Sequence, residues 1–131
     1  MIVGIGTDIV SVARMEVTMS RNGDSFAKRV LVDSEWQEFQ QTRQKASFLA
    51  KRFAVKEAAA KALGTGFAEG VTWQHIATDH DKLGKPLLLL TAAALERANS
   101  MGVTAYHLSI SDEREHAVAF VLLEGVSGTA E

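Results

Sequence analysis

The stretch from Phe48 to Gly66 constrains this chain more than any other. It is dense in alanine, has no glycine or proline before Gly64, and carries Val55 as its only β-branched residue up to that point, so it predicts a long helix. Gly64 stands where a left-handed residue would stop the helix, and Gly66 lies just beyond. At about 100° per residue the apolar side chains go all the way round, which predicts a largely buried helix. It nevertheless carries Lys51, Arg52, Lys56, Glu57 and Lys61. Two explanations stand side by side. In the first, Glu57 and Lys61, four apart, form an ordinary surface ion pair, while Arg52 and Lys56 stretch their stems to water. In the second, the bases face a polyanion and the lone carboxylate faces a metal ion.

The 131 residues suit one domain, 1–131, with a small polar tail from about Gly125 that reads as frayed. A composition 47% hydrophobic and 23% charged is that of a folded, soluble chain rather than a disordered one. The absence of cysteine excludes disulfides, cysteine-based zinc sites and thiol catalysis, and favours an intracellular, cytoplasmic protein. No apolar run is long enough to insert in a membrane, and no basic segment leads into an apolar one at the N-terminus as in a secretory signal. A formal net charge of −2 argues against nucleic-acid binding by bulk charge, although the first helical region and the central helix are locally basic.

Met1 to Gly6 reads as a buried strand, with Gly4 and Gly6 permitting close backbone approach and Asp8 just past the strand end. Asp8 is a helix cap or turn residue on one reading and a ligand on the other. Ile9 stands where a dinucleotide fingerprint needs its third glycine, which discounts that fold. Ile9 to about Arg21 reads as a helix carrying Arg14 and Arg21, and Asp24 caps a short helix through Leu31. Asp33 or Ser34 caps another, Glu35 to Gln41. Gln40 to Ser47 reads as loop. Val71 to Asp79 and Pro86 to Leu90 read as a hairpin around the turn His80–Lys85. Thr91 caps a helix to Met101, and Thr104–Ile110 with Ala117–Leu123 form a second hairpin. The order predicts an α+β fold with a largely antiparallel sheet packed against helices.

Among the histidines, His75, His80 and His116 fall on strands or turns without metal-ligand spacing, and His107 is the one to watch. What remains is Asp8, Glu57 inside a basic helix, and the loop Gly64-Thr65-Gly66. Two carboxylates with water and a substrate phosphate are a common Mg²⁺ set, and lysine with free loop amides suits phosphate oxygens. The chemistry is of the phosphoryl-transfer type, set against a non-catalytic binding module as the competing class.

Gly4-Ile5-Gly6-Thr7-Asp8-Ile9-Val10, then Phe48-Leu49-Ala50-Lys51-Arg52-Phe53-Ala54-Val55-Lys56-Glu57-Ala58 through Lys61-Ala62-Leu63-Gly64-Thr65-Gly66, then Gly84-Lys85-Pro86 and His107-Leu108-Ser109-Ile110-Ser111, closely resemble the holo-acyl-carrier-protein synthases, the small bacterial 4′-phosphopantetheinyl transferases. The likeness runs in order from residue 1 to about 124. It implies transfer of the 4′-phosphopantetheine arm from coenzyme A to a serine of apo acyl carrier protein, in fatty acid biosynthesis, with release of adenosine 3′,5′-bisphosphate. By this resemblance Asp8 and Glu57 are magnesium ligands, and Glu57 and Lys61 are catalytic. Arg52, Lys61, Gly64, Thr65, Gly66, Gly84, Lys85, Pro86 and His107 bind the cofactor, while Arg14 and Arg21 meet the carrier protein. The base is Glu57 or a metal-bound water, and the residues do not choose. The family's homotrimers, with sites at subunit interfaces, imply that His107 acts across an interface. After Ser111 many members have histidine where this chain has Asp112-Glu113, so no role is carried to that turn.

Overall fold

The helix that dominates the sequence dominates the fold. In a computed structural model that describes residues 1–126, it runs Lys45–Leu63 and is here α4. Around it the chain forms β1 (Ile2–Ser11), α1 (Val12–Asn22), α2 (Ser25–Val30) and α3 (Asp33–Gln41) before it. After it come a 3₁₀ turn at Trp73–His75, β2 (Ile76–His80), β3 (Pro86–Leu90), α5 (Ala92–Ser100), β4 (Val103–Asp112) and β5 (His116–Gly125). The sheet is antiparallel in the order β1-β5-β4, and β2 pairs with β3 as a separate antiparallel ribbon. The α+β architecture matches the expectation.

α4 lies across the sheet, against β1 and β5. The contact is close because of two glycines. A Cβ on Gly4 would stand 2.3 Å from the Ala62 carbonyl oxygen, and one on Gly6 would stand 2.0 Å from that of Ala58, distances no side chain tolerates. The helix answers with alanines, and Ala58, Ala59, Ala60 and Ala62 are all buried. Ala117, Ala119, Val121 and Leu123 of β5 complete this layer. Only a narrow stripe of the second half of α4 reaches solvent, through Phe53, Glu57 and Lys61 at four-residue spacing. Gly64 then ends the helix at φ +77°, its amide donating to the Lys61 carbonyl.

Several boundaries move. β1 runs on to Ser11, so Asp8 lies inside the strand, paired with Ala119, rather than past its end. The helix after it begins at Val12 rather than Ile9, with the Ser11 hydroxyl accepting from the Arg14 amide at 3.2 Å. α3 is capped from Val32, whose amide donates to the Glu35 carboxylate, and not by the side chains of Asp33 or Ser34. α4 starts at Lys45, inside the expected loop. The strand expected from Val71 begins only at Ile76, because Trp73–His75 coils into the 3₁₀ turn. Gly125 is no frayed end: its amide and carbonyl both bond Met1. The rest of that tail, 127–131, lies outside the described residues. Among the described residues no helix is long and apolar enough to cross a membrane.

The far face of the sheet carries Ile5, Ile9 and Phe120, which are 57%, 63% and 43% exposed, so among the described residues nothing covers a broad apolar surface.

Candidate active site

Where β1 crosses α4, the period of two that turns Gly4 and Gly6 toward the helix also turns Asp8 toward it. Lys61 reaches over from α4. Its Nζ donates to Asp8 Oδ1 at 3.0 Å and to the Thr7 carbonyl at 2.9 Å. The ion pair therefore crosses to β1, and the simple Glu57–Lys61 pair along the helix is not what forms. The lysine side chain remains 54% exposed and the aspartate 20%, so the pair sits at a rim open to a ligand.

Glu57, one turn before Lys61, is half-buried and accepts a hydrogen bond at Oε2 from the Trp73 indole Nε1 at 3.1 Å. Asp8 and Glu57 thus flank Lys61 from two elements. Among the described residues no group of three or more histidine, cysteine or acidic side chains gathers to hold a metal. Two hard carboxylate donors beside an open rim do fit Mg²⁺, which keeps water ligands and takes phosphate oxygens for the remainder.

In the loop after α4 the two glycine amides are already engaged within the chain. The Gly64 and Gly66 amides are spent on the Lys61 and Ala60 carbonyls, and the Thr65 hydroxyl donates to the Gly66 carbonyl at 2.8 Å. The glycines cap the helix rather than present free donors. Gly64 and Thr65 wall a cleft of about 510 Å³ with Glu69, Glu96 and Arg97, the last bonding the Leu63 carbonyl through Nε.

The other expected residues lie elsewhere in the protomer. Arg52 is nine residues before Lys61, so it leaves α4 about 180° from it. It is only 5% exposed, its guanidinium 4.5 Å over the Phe48 ring, with Nε unpaired at the floor of a cleft shared with α3. Burial holds its pKa below the usual arginine value, against the pull of Glu35 and Glu38. His107 pairs across β5 with Leu122, which pairs with Ile5, so it stands on the open face of the sheet and not on the α4 face. Its Nε2 is 2.7 Å from Glu124 Oε1. Gly84 and Lys85 lie in the β2–β3 turn and Pro86 opens β3 opposite His80; Asp81 holds the turn, its Oδ1 accepting from the Leu83 and Lys85 amides at 2.9 Å each. Arg14 and Arg21 lie exposed on α1, Arg14 beside a hollow formed with Val17 and Thr18.

Sequence reasoning missed Trp73, Glu35 and the true place of Lys56. Lys56 does not reach water. It is fully buried, donates to the Trp73 carbonyl at 3.0 Å and to the Ile76 carbonyl, and pairs with Glu35 Oε1 at 2.9 Å. Desolvation holds its pKa below the usual lysine range, with Glu35 opposing the shift. The one available signal was Glu35 in the first turn of a helix, and it named no partner.

A family profile described as the 4′-phosphopantetheinyl transferase superfamily matches residues 4–121. The chain belongs to this superfamily. It is 56% identical over 124 residues to a holo-[acyl-carrier-protein] synthase of Vibrio cholerae serotype O1 (strain M66-2), covering 95% of this chain and 98% of that relative. The crystal structure of the holo-[acyl-carrier-protein] synthase from Neisseria meningitidis superposes with a TM-score of 0.88 at 44% identity, covering 95% of this chain and 99% of that one. The synthase from Bacillus anthracis str. Ames, solved in complex with CoA (3′,5′-ADP), gives 0.80 at 36% identity over 96% and 99% of the two chains. The transferase thus has relatives over nearly its whole length, and the seam between β1 and α4 falls within the matched segment.

Proposed function

We propose that the seam between β1 and α4 is the catalytic centre of the transferase, with Asp8 and Glu57 holding Mg²⁺ and Lys61 meeting the phosphates of coenzyme A. The reaction is transfer of 4′-phosphopantetheine from coenzyme A to a serine of apo acyl carrier protein, giving holo acyl carrier protein and adenosine 3′,5′-bisphosphate. The serine oxygen bonds to the β-phosphorus, and the bond from that phosphorus to the bridging oxygen breaks. The serine proton leaves to a base. Bound Mg²⁺ would neutralise charge on the pyrophosphate and on the departing bisphosphate. Lys61, half in solvent, exchanges Asp8 for a phosphate oxygen and offsets charge as the bond breaks. The observation that carries the reading is the partly exposed Asp8–Lys61 pair where an otherwise buried helix meets a strand, with Glu57 one turn before Lys61 on the same stripe of α4.

Arg52 and His107 enter this reading only through a second copy. Each faces away from Lys61 in its own protomer, and the uncovered apolar face bears both His107 and Ile5. A homotrimer in which each site borrows residues from a neighbour accounts for both facts, and the substrates place the enzyme in the cytoplasm.

The test is mass spectrometry of an apo carrier protein incubated with coenzyme A and this protein. Addition of the phosphopantetheine arm with Mg²⁺, and none with a chelator, is the expected result. An unmodified carrier under both conditions would return the chain to a binding module. Sharing of sites is tested by mixing two variants expected to be impaired in transfer, Lys61→Met and His107→Ala. Recovered transfer in the mixture supports it, and none recovered argues against it.

A further inference from the structure

Lys56, Trp73 and Glu57 form a continuous set of contacts that the transfer reaction has not used. Lys56 has three N–H donors and meets three acceptors: Glu35 Oε1 and the Trp73 and Ile76 carbonyls. Glu35 is itself fixed, since Oε1 also accepts from the Val32 amide and Oε2 from the Thr78 amide at 2.9 Å. The backbone of the 3₁₀ turn is thereby tied to the middle of α4. The Trp73 ring is held from its other sides by Phe26, Phe53 and Phe67, with centroids 5.8 Å away in each case. From this mount the indole N–H reaches Glu57 Oε2, leaving Oε1 without a protein hydrogen bond among the described residues.

We propose that Trp73 is a positioning residue for the metal-binding carboxylate: its indole N–H fixes Glu57 Oε2 so that Oε1 is turned to the cation, with the Glu35–Lys56 pair clamping the tryptophan from behind. The proposal rests on the reading of Glu57 as a metal ligand. A ligating carboxylate hydrogen-bonded from behind loses less freedom when it binds, and removal of such partners typically costs about 10–100-fold in metal affinity or activity. A ring that merely fills space beside Phe53 has no such effect, because phenylalanine fills the space too.

The experiment uses Trp73→Phe, which keeps an aromatic ring in the cluster and deletes only the donor. Mn²⁺ is titrated calorimetrically into protein saturated with coenzyme A, for wild type, Trp73→Phe and Glu57→Gln. Affinity for Mn²⁺ is expected to fall about tenfold in Trp73→Phe. The metal concentration for half-maximal transfer should rise in step, while kcat at saturating metal stays near wild type. Wild type supplies an independent signature. The chain has two tryptophans, and the indole N–H resonance absent from the Trp73→Phe spectrum identifies Trp73. That resonance should move as Mg²⁺ is added to wild type and stay still in Glu57→Gln. Wild-type Mn²⁺ affinity in Trp73→Phe, or a wild-type indole resonance indifferent to Mg²⁺, overturns the positioning role if Glu57→Gln weakens metal binding. If Glu57→Gln binds Mn²⁺ as tightly as wild type, the ligand assignment itself falls, and the positioning role with it.

Discussion

On one side of α4, Lys56 meets Glu35 at 2.9 Å with both side chains fully buried. About 140° round the helix, Lys61 meets Asp8 at 3.0 Å with half the lysine in solvent. The chemistry of the two pairs is the same and their consequences differ. The inner pair has every donor committed, so it can bind nothing further and can only hold elements together: α3, α4 and the start of β2. The outer pair is the one a ligand can divide. Attraction in the buried pair is strong but largely offset by the loss of hydration, whereas an exposed pair contributes little to stability and costs little to exchange. One helix thus separates a buried, fully committed charge from one left open to a ligand by which of its faces each occupies.

The largest expected effect tests the outer side. On the proposed reading Glu57→Ala removes an anionic ligand from a hard-cation site and should abolish transfer, while the loss of its hydrogen bond from Trp73 lowers stability only slightly and leaves the fold intact. Activity near wild type at saturating Mg²⁺ would break the comparison, because the open face would then hold no chemistry. Next comes the inner side. Lys56→Met leaves Glu35 buried without its cation and two carbonyls without a donor, so unfolding by heat or denaturant should show a loss of about 3–5 kcal/mol. Adding Glu35→Gln should restore part of it, since breaking a buried pair costs more than replacing both members. A Lys56→Met protein as stable as wild type would mean the buried pair holds nothing together.

The sequence could separate these two lysines only in part. Asp8, Glu57 and Lys61 could be singled out because strand, helix and glycine signals are local and the family likeness is specific, and the structure pairs Asp8 with Lys61. The extent of α4 was legible from its alanines and Gly64. Which of four bases on a helix apolar all round faces the core is not a local property. It depends on Glu35, from another helix, and on where an irregular turn leaves two carbonyls. Trp73 escaped notice for the same reason: a three-residue 3₁₀ turn has no periodicity to read. β1 seemed to end early because Asp8 looks like a cap or turn residue, yet pairing of Thr7 with Phe120 and of Asp8 with Ala119 keeps both extended. The two glycine amides seemed free because nothing in Gly64-Thr65-Gly66 says that the last turn of α4 will claim those of Gly64 and Gly66.

A somewhat smaller effect compares the lysines directly. Lys61→Met should slow turnover about 10²–10³-fold, the usual loss for one contact that stabilises developing charge, with little change in melting temperature. The retained methylene stem keeps packing out of the result. Set beside Lys56→Met, the pair of variants should give a double dissociation: rate without stability for one, stability first for the other. A Lys61→Met protein that transfers at wild-type rate but melts earlier would make both pairs structural.

The smallest effect extends the comparison to a third kind of charge, one whose side chain has no partner among the described residues. The Arg14 side chain stands exposed on α1 beside Val17 and Thr18, and its backbone amide, not its guanidinium, is what Ser11 caps. Nothing in the fold depends on it, so Arg14→Glu should melt as wild type does. If it faces an acidic surface of the carrier protein, reversal should weaken carrier binding severalfold and leave coenzyme A binding unchanged, since the loss falls on one charged contact at a rim. Wild-type carrier affinity should also fall with added salt, because exposed charges are screened over about 8–10 Å at moderate ionic strength. Binding of carrier and of coenzyme A is measured separately on the same variant. Equal weakening of both would mean the charge acts through the fold, like that of Lys56. No change in carrier affinity would place the docking surface away from α1, with the aromatic cluster of Phe26, Phe53 and Trp73 beside Glu57 as the next surface to test.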